Sequence, residues 1–184
     1  MVDVTLTSYL LRCLKKSQPG LRLSKELAER LNKRVNRLAR AMVRGAAKSA
    51  LAAKRKTLLH KDIETALFKV LADEELCGKL VHHAAKAISA LEKSDAAGKV
   101  ARSKRAGILF SVPRMAHIIR NGVVDDKLRV SEGSAVCLAA ILEGLSCELF
   151  SAAGGFCSQD RRKVVTLKDY EKALEASKAL QTVL

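Results

Sequence analysis

The sequence predicts an all-α protein made of two related helical units in one chain. The segment 54–67 (KRKTLLHKDIETAL) returns 107 positions later as 161–174 (RRKVVTLKDYEKAL). Each half of the chain also carries one long stripe of apolar residues at helical spacing. Because a repeated unit that cannot bury its own apolar face depends on its neighbour, the two units are expected to pack on each other.

Composition predicts an aliphatic core and an anionic partner. Of the 184 residues, 48% are hydrophobic and only 3% are aromatic. The net charge is +15, and both halves share it, with 20 basic against 10 acidic residues in 1–98 and 14 against 9 in 99–184. Such an excess favours a polyanionic partner, most often nucleic acid. A basic protein without such a partner is the alternative.

In the first half, the pattern predicts a short helix followed by a long one. The short helix, at 6–16, ends before the helix-breaking pair Pro19-Gly20. Ser24 is the predicted N-cap of a helix that runs to about Ala53. Its stripe is Leu27, Leu31, Val35, Leu38, Met42 and Ala46. A rod of that length, ~45 Å, is too long for a ~70-residue unit to cover alone.

The second half repeats the arrangement. A short helix at 111–122 and a loop at 123–133 lead to a long helix that ends near Asp160. Thr166 and Asp169 predict a capping box for the last short helix, whereas Leu59 at the equivalent position predicts that the first copy lacks this cap. Between the halves, 73–93 is predicted to form an extra helix, and the small, polar segment 94–103 a linker.

Cysteine, histidine and targeting patterns argue against several other classes of protein. The five cysteines have no CxxC spacing and are expected to be free thiols in a reducing compartment. No signal peptide is visible, and the apolar run 135–142 is too short to span a bilayer. Cys77, His82 and His83 do not converge on a metal, and no nucleophile has a recognisable orienting group. We therefore expect no cofactor, no metal and no enzymatic activity.

Short–long–short helices with a basic second loop, in tandem, resemble the histone fold. In the second half, R-A-G-x-x-F-x-V-x-R at 105–114 and V-x-L-A-A-x-L-E-x-L at 136–145 are similar to the patterns of histone 2A. The first half resembles histone 2B through Pro19, Asn32, Val35, Asn36, Lys54, Arg55, Thr57, Ile63, Thr65 and Ala66. The chain thus resembles the histone doublets of giant DNA viruses, with a 2B-like unit at 1–93, a linker at 94–103 and a 2A-like unit at 104–184. The fold implied is an intramolecular handshake pseudo-dimer.

The resemblance implies a clamp in each unit. Arg55 with Asp62, and Arg162 with Asp169, are seven residues apart and are expected to fix the second loop against the third helix. Independent exposed charges are the alternative.

The resemblance also implies three DNA-binding sites, because each first loop lies beside the second loop of the other unit. The first site is expected to contain Lys54, Arg55, Lys56, Thr57, Lys127 and Arg129. The central site is expected to contain Arg12, Lys15, Arg114 and Arg120, with Arg102 and Arg105 as further candidates. The third is expected to contain Arg22, Ser24, Lys25, Arg161, Arg162 and Lys163. Arg129 aligns with the minor-groove arginine of the family.

Three departures from the family are expected to weaken protein docking. Glu143 and Glu148 match two acidic-patch positions, but the segment 175–179 retains one acid. Ala52 stands where histone 2B has a tyrosine that packs on histone 4. The sequence ends at Leu184, before the docking segment of histone 2A.

The function implied is structural: wrapping and compacting double-stranded DNA in nucleosome-like particles, independently of sequence and through phosphates. The implied partner, besides DNA, is a histone-4–3-like doublet or an equivalent tetramer. The implied location is the nucleus and chromatin, or the viral factory and virion for a viral protein. A transcription-regulatory pair of histone folds, acting through protein contacts, is the alternative. One further basic stripe is either a solvated face or a second anionic contact: Arg30, Arg34, Arg37, Arg40, Arg44 and Lys48.

Overall fold

The computed structural model describes residues 4–94, 100–122 and 128–181, most of which are helical. The first unit contains α1 (Thr7–Ser17), β1 (Arg22–Leu23), α2 (Lys25–Ala52), β2 (Thr57–Leu58), α3 (His60–Val70) and α4 (Glu74–Glu92). The predicted cap of the long helix is confirmed, since the Ser24 hydroxyl accepts a hydrogen bond from the Leu27 amide at 3.3 Å. Asp73 caps α4 in the same way, through the Leu76 amide at 2.7 Å.

Apart from an additional short helix at its start, the second unit has the same order of elements. It contains α5 (Arg102–Arg105), α6 (Val112–Gly122), β3 (Arg129–Val130), α7 (Glu132–Gln159), β4 (Val164–Val165), α8 (Leu167–Ala176) and α9 (Lys178–Gln181). Arg102 and Ser103, which the sequence assigned to the linker, are the first residues of α5. The Ser103 hydroxyl accepts the Val112 amide at 3.0 Å and so links α5 to the start of α6.

Four two-residue strands fasten the units head to tail. β1 pairs in parallel with β4, and β2 pairs in parallel with β3. Each pair therefore joins the first loop of one unit to the second loop of the other. Strands of this length carry no alternating pattern, so periodicity does not reveal them.

One continuous apolar core runs through both units. α7 is packed by α1, α3 and α4 from the first unit and by α6 and α8 from its own. α2 is packed mainly by α3 and, across the units, by α6. Each buried Leu in these contacts stabilises the fold by about 1.5–3 kcal/mol. Neither long helix is covered by its own unit alone.

The most apolar helix, α7, has the length and composition of a membrane-spanning helix. In this molecule, however, 72% of the most apolar 18-residue segment of α7 is buried. The helices of both units cover it, so the core accounts for its composition.

Two asparagines of α2 fix where α1 begins. Asn36, which is fully buried, accepts the Val4 amide at 3.1 Å and donates to the Val4 carbonyl at 2.8 Å. Asn32 accepts the Leu6 amide at 2.7 Å. These contacts hold the start of α1 against the middle of α2.

Candidate nucleic-acid interface

The first basic site forms where β2 meets β3. Thr57 is in register with Arg129, and the Arg129 amide donates to the Lys56 carbonyl at 2.8 Å. Lys54, Lys56 and Arg129 are exposed, while Thr57 is half-buried. The structure thus brings together the described members of the predicted site. Lys127, the remaining member, lies outside the described residues.

The third site is built in the same way where β1 meets β4. The Arg22 amide donates to the Lys163 carbonyl at 2.8 Å, and the Ser24 amide donates to the Val165 carbonyl at 3.0 Å. Exposed cations from both units meet here: Arg22, Lys25, Arg161 and Lys163. The Ser24 hydroxyl caps α2 by accepting the Leu27 amide, which leaves its O–H available to donate to a phosphate oxygen.

The two long helices end in the same cap, with a basic residue where glycine is usual. Lys54 and Arg161, equivalent positions of the repeat, have φ of 54° and 52°. Around Lys54, the Arg55 amide donates to the Ala50 carbonyl at 3.0 Å and the Lys54 amide to the Leu51 carbonyl at 2.8 Å. This pair of bonds is a Schellman motif. A side chain there strains the backbone but adds a cation at the negative end of a helix.

An arginine–carboxylate clamp closes each second loop. Arg55 donates to both Asp62 oxygens, at 2.8 and 2.5 Å. Arg162 donates to both Asp169 oxygens and also to Asp160 at 2.8 Å. These bonds occupy the guanidinium edges, so Arg55 and Arg162 serve first as positioning residues for the cations beside them.

The aspartates of the clamps also cap the helices that follow the second loops, α3 and α8. Thr166 donates to Asp169 through its amide at 2.8 Å and its hydroxyl at 2.9 Å. The Leu59 amide donates to Asp62 at 2.8 Å, so the first unit keeps half of the cap that the sequence predicted to be missing. The other half of a capping box, in which the cap side chain accepts a hydrogen bond from a backbone amide of the first turn, is not made because a leucine side chain has no acceptor.

Both clamp aspartates have lowered pKa values. Burial alone would raise the pKa of Asp169, but hydrogen bonds from Arg162 and Thr166 lower it to about 2. Burial opposes the shift at Asp62 as well, and hydrogen bonds from Arg55 and the Leu59 amide lower its pKa. Each carboxylate is thus held in its charged form against its burial.

The central site forms where α1 meets α6, around one aromatic ring. The guanidinium carbons of Arg12 and Arg114 lie 5.6 and 5.3 Å from the Tyr9 ring centroid. Arg114 also donates to the Thr5 carbonyl, and Tyr9 packs on Phe110 with ring centroids 5.5 Å apart. Sequence reasoning missed Tyr9. Its only signal was that aromatic residues are scarce in this chain.

The remaining candidates for the central site divide into two pairs. Lys15 and Arg120 are exposed on α1 and α6. Arg105 donates to the Leu91 and Ser94 carbonyls, at 3.3 and 3.1 Å, around the C-terminal end of α4. Arg102 lies 3.0 Å from Glu132. The structure therefore directs Arg102 and Arg105 to contacts within the protein rather than to Tyr9.

The expectation for the acidic patch needs a correction at Glu143. This side chain is fully buried, because α1 and α4 pack on α7 around it. Its carboxylate accepts hydrogen bonds from Lys16 at 2.9 Å and from the Leu109 amide. Glu143 therefore presents no charge to a partner, whereas Glu148 is exposed.

Histidine and cysteine side chains form no recognisable metal site in the described ranges. No three His, Cys, Asp or Glu side chains converge there in a way that could hold an ion. His83 Nε2 lies 4.0 Å from Glu143, and burial lowers the pKa of this imidazole. All five cysteines lie within the described residues and are free thiols.

Similarity searches point to one group of proteins. No protein-family model matches the sequence. The chain is 31% identical over 94 residues to histone 2A-IV of Volvox carteri, covering 50% of this chain and 71% of that protein. It is 37% identical over 71 residues to histone 2A.1 of Tetrahymena thermophila, covering 39% of this chain and 51% of that protein. A macro-type histone 2A, form 1.1, of Capsaspora owczarzaki is 35% identical over 83 residues, or 45% of this chain.

The extent of these matches differs between relatives. The chain spans only 22% of the Capsaspora protein and about half of the Tetrahymena protein. Among solved structures, the crystal structure of the histone from Methanopyrus kandleri matches with a TM-score of 0.55 at 22% identity, over 93% of each chain. That likeness extends over both units and confirms the predicted fold class.

Proposed function

Because this chain belongs to the histone 2A family, matching the Volvox carteri member at 31% identity over 71% of its length, we propose that it is a structural protein that binds and packages double-stranded DNA. The observation that carries the proposal is the pairing of loops across the units. Each parallel strand pair gathers exposed cations from both halves, and the α1–α6 contact supplies a third group between them.

The chemistry of these sites favours phosphate contacts over base reading. Their side chains are Lys and Arg on loops and helix ends, and the clamps and backbone bonds fix the loops that carry them. Cations arranged in this way neutralise phosphates and carry no sequence information directly. We therefore propose that binding is independent of DNA sequence.

We further propose that the chain is a histone doublet, with a 2B-like unit at 1–93 and a 2A-like unit at 104–184. The repeated order of elements supports this, as does a match to a curated histone 2A over 94 residues, about half of the chain. The same proposal includes a resemblance to giant-virus doublets, the wrapping of DNA in nucleosome-like particles, and docking to a histone-4–3-like doublet or equivalent tetramer. It also includes a non-enzymatic role and a location in chromatin, or in a viral factory and virion.

The salt dependence of DNA affinity is the direct test. With about 6–10 phosphate contacts, affinity for a short duplex should fall ~10³–10⁵-fold between 50 and 200 mM salt, equally for duplexes of unrelated sequence. Lys56→Ala and Lys163→Ala should each weaken binding and flatten the salt slope by about one unit. Lys86→Ala, an exposed lysine of α4, is the matched control and should change neither quantity.

Two outcomes would count against the proposal. Affinity that hardly changes with salt would favour the alternative, a regulatory pair that acts through protein contacts. A strong preference for one sequence would contradict phosphate-only binding. For the finer proposal, micrococcal nuclease digestion of DNA reconstituted with this chain and a partner doublet should leave protected fragments of uniform length.

A further inference from the structure

The exposed face of α2 carries a basic groove that the three sites do not include. Lys33, Arg37, Arg40 and Arg44 line a shallow concavity of about 220 Å³, called here the α2 groove. The chain has no Asp or Glu between Glu29 and Asp62. The side chains that line the groove are all cationic, as far as the described residues extend.

The α2 groove is separate from the basic sites at the two ends of the helix. Lys33 lies eight residues after Lys25 and Arg44 ten residues before Lys54, or ~12 and ~15 Å along the axis. The groove lies on the side of α2 away from the buried residues Val35 and Met42. The groove therefore shares no lining residue with either strand pair.

Like charges on one helix face repel each other. The four residues are spaced four, three and four apart, so each lies one turn from the next. Pairs of this kind destabilise a helix by about 0.2–0.5 kcal/mol each. A bound anion would offset this repulsion.

The composition of the groove favours a phosphodiester backbone over an acidic polypeptide. Three of its four cations are Arg, whose planar guanidinium matches a phosphate with two parallel hydrogen bonds. The groove extends ~16 Å along α2, long enough to face more than one phosphate of the same strand. No apolar side chain lines it among the described residues to anchor a peptide.

We propose that the α2 groove binds the phosphates of a second DNA duplex, so that one molecule bridges two DNA segments. This inference rests on the proposed function, because the first duplex is the one held by the three basic sites. It adds a second binding surface along the middle of α2.

A two-duplex capture assay tests the inference. The full-length protein is bound to a bead-coupled 20-bp duplex, and retention of a fluorescent duplex of different sequence is measured. Arg37→Gln/Arg44→Gln should retain at least about tenfold less of the second duplex. Its affinity for the first duplex should stay within about twofold of wild type. The charge-matched control Lys69→Gln/Lys86→Gln should behave as wild type in both measurements.

Each other outcome has a defined meaning. If the groove variant and wild type retain the second duplex equally, the groove does not bridge. If the variant loses affinity for the first duplex in parallel, the groove belongs to the path of that duplex, and the inference fails. If polyglutamate binds wild type but not the variant while second-duplex capture is unchanged, the partner is an acidic polypeptide and the inference is again overturned.

The assay also separates this inference from the proposed function. Failure of wild type to bind the bead-coupled duplex contradicts the proposed function itself. Binding of the first duplex without capture of the second contradicts only the role of the groove. Thermal melting followed by circular dichroism checks that both double variants are folded.

Discussion

Lys16 at the end of α1 and Glu143 in the middle of α7 form an ion pair across the two units, with Nζ and Oε1 2.9 Å apart. The carboxylate is fully buried, while 53% of the lysine side chain is exposed. The hydrogen bond to Glu143 raises the pKa of Lys16, against the opposing effect of its partial burial. The same carboxylate accepts the Leu109 amide, so one buried charge fastens α1 and the approach to α6 onto α7.

Neighbouring lysines of α1 are therefore expected to have different roles. Lys16→Met should lower the free energy of unfolding by about 1–2 kcal/mol, because it removes a charge-assisted hydrogen bond from a buried carboxylate. Lys15→Met should leave stability within about 0.5 kcal/mol and weaken DNA binding. Urea denaturation and a DNA titration of both variants provide the comparison. Equal stability of the two variants would contradict the assignment.

The clamp at Asp169 is expected to lose its stabilising effect in acid. The pKa of this carboxyl is lowered from 3.8 to about 2, so the unfolded chain binds the proton more readily than the folded one. The contribution is therefore fully present above pH 3.8 and is lost as the pH falls towards 2. Asp169→Asn should cost about 1.5–3 kcal/mol at pH 5 and much less at pH 2.5.

Urea unfolding at the two pH values measures this difference. Glu171→Gln, an exposed carboxylate of the same helix, serves as the control and should cost little at either pH. A cost of Asp169→Asn that is the same at both pH values would show that the effect is steric rather than electrostatic.

The basic residues at the helix ends should trade stability against binding. Lys54→Gly relieves a positive φ and should raise the free energy of unfolding by about 0.5–1 kcal/mol. It should also weaken DNA binding about three- to tenfold, because one phosphate contact is lost. Lys54→Ala should weaken binding to the same extent without the gain in stability. A Gly variant that binds like wild type would remove Lys54 from the interface.

Neither unit should fold as a monomer by itself. The fragment 1–93 lacks α6 and α7, which cover α2 and pack on α1, α3 and α4. At micromolar concentration we expect it to be unfolded, molten or self-paired, and to fold when 104–184 is added. Nuclear magnetic resonance spectra and sedimentation distinguish these states. A well-dispersed spectrum of monomeric 1–93 would refute the dependence of each unit on the other.

Local features of the structure could be predicted from the sequence because they depend on neighbouring residues. The stripe from Leu27 to Ala46 requires only a period of 3.6 residues, and the Ser24 cap requires only a hydroxyl before a helix. The structure bears out both, and the likeness to the Methanopyrus kandleri histone confirms the all-α fold class. The linker was predicted to extend to 103, whereas Arg102 and Ser103 begin α5, whose Ser103 hydroxyl accepts the Val112 amide at the start of α6.

The sequence by itself determined the two units, their long helices and the basic loops that recur 107 positions apart. Only the tertiary structure decided that Glu143 is buried rather than part of an acidic surface. It also decided that Arg12 and Arg114 share the Tyr9 ring. The physical reason is distance along the chain. Lys16 and Glu143 are 127 positions apart, and no local pattern records which side chain will cover a carboxylate when the two units pack together.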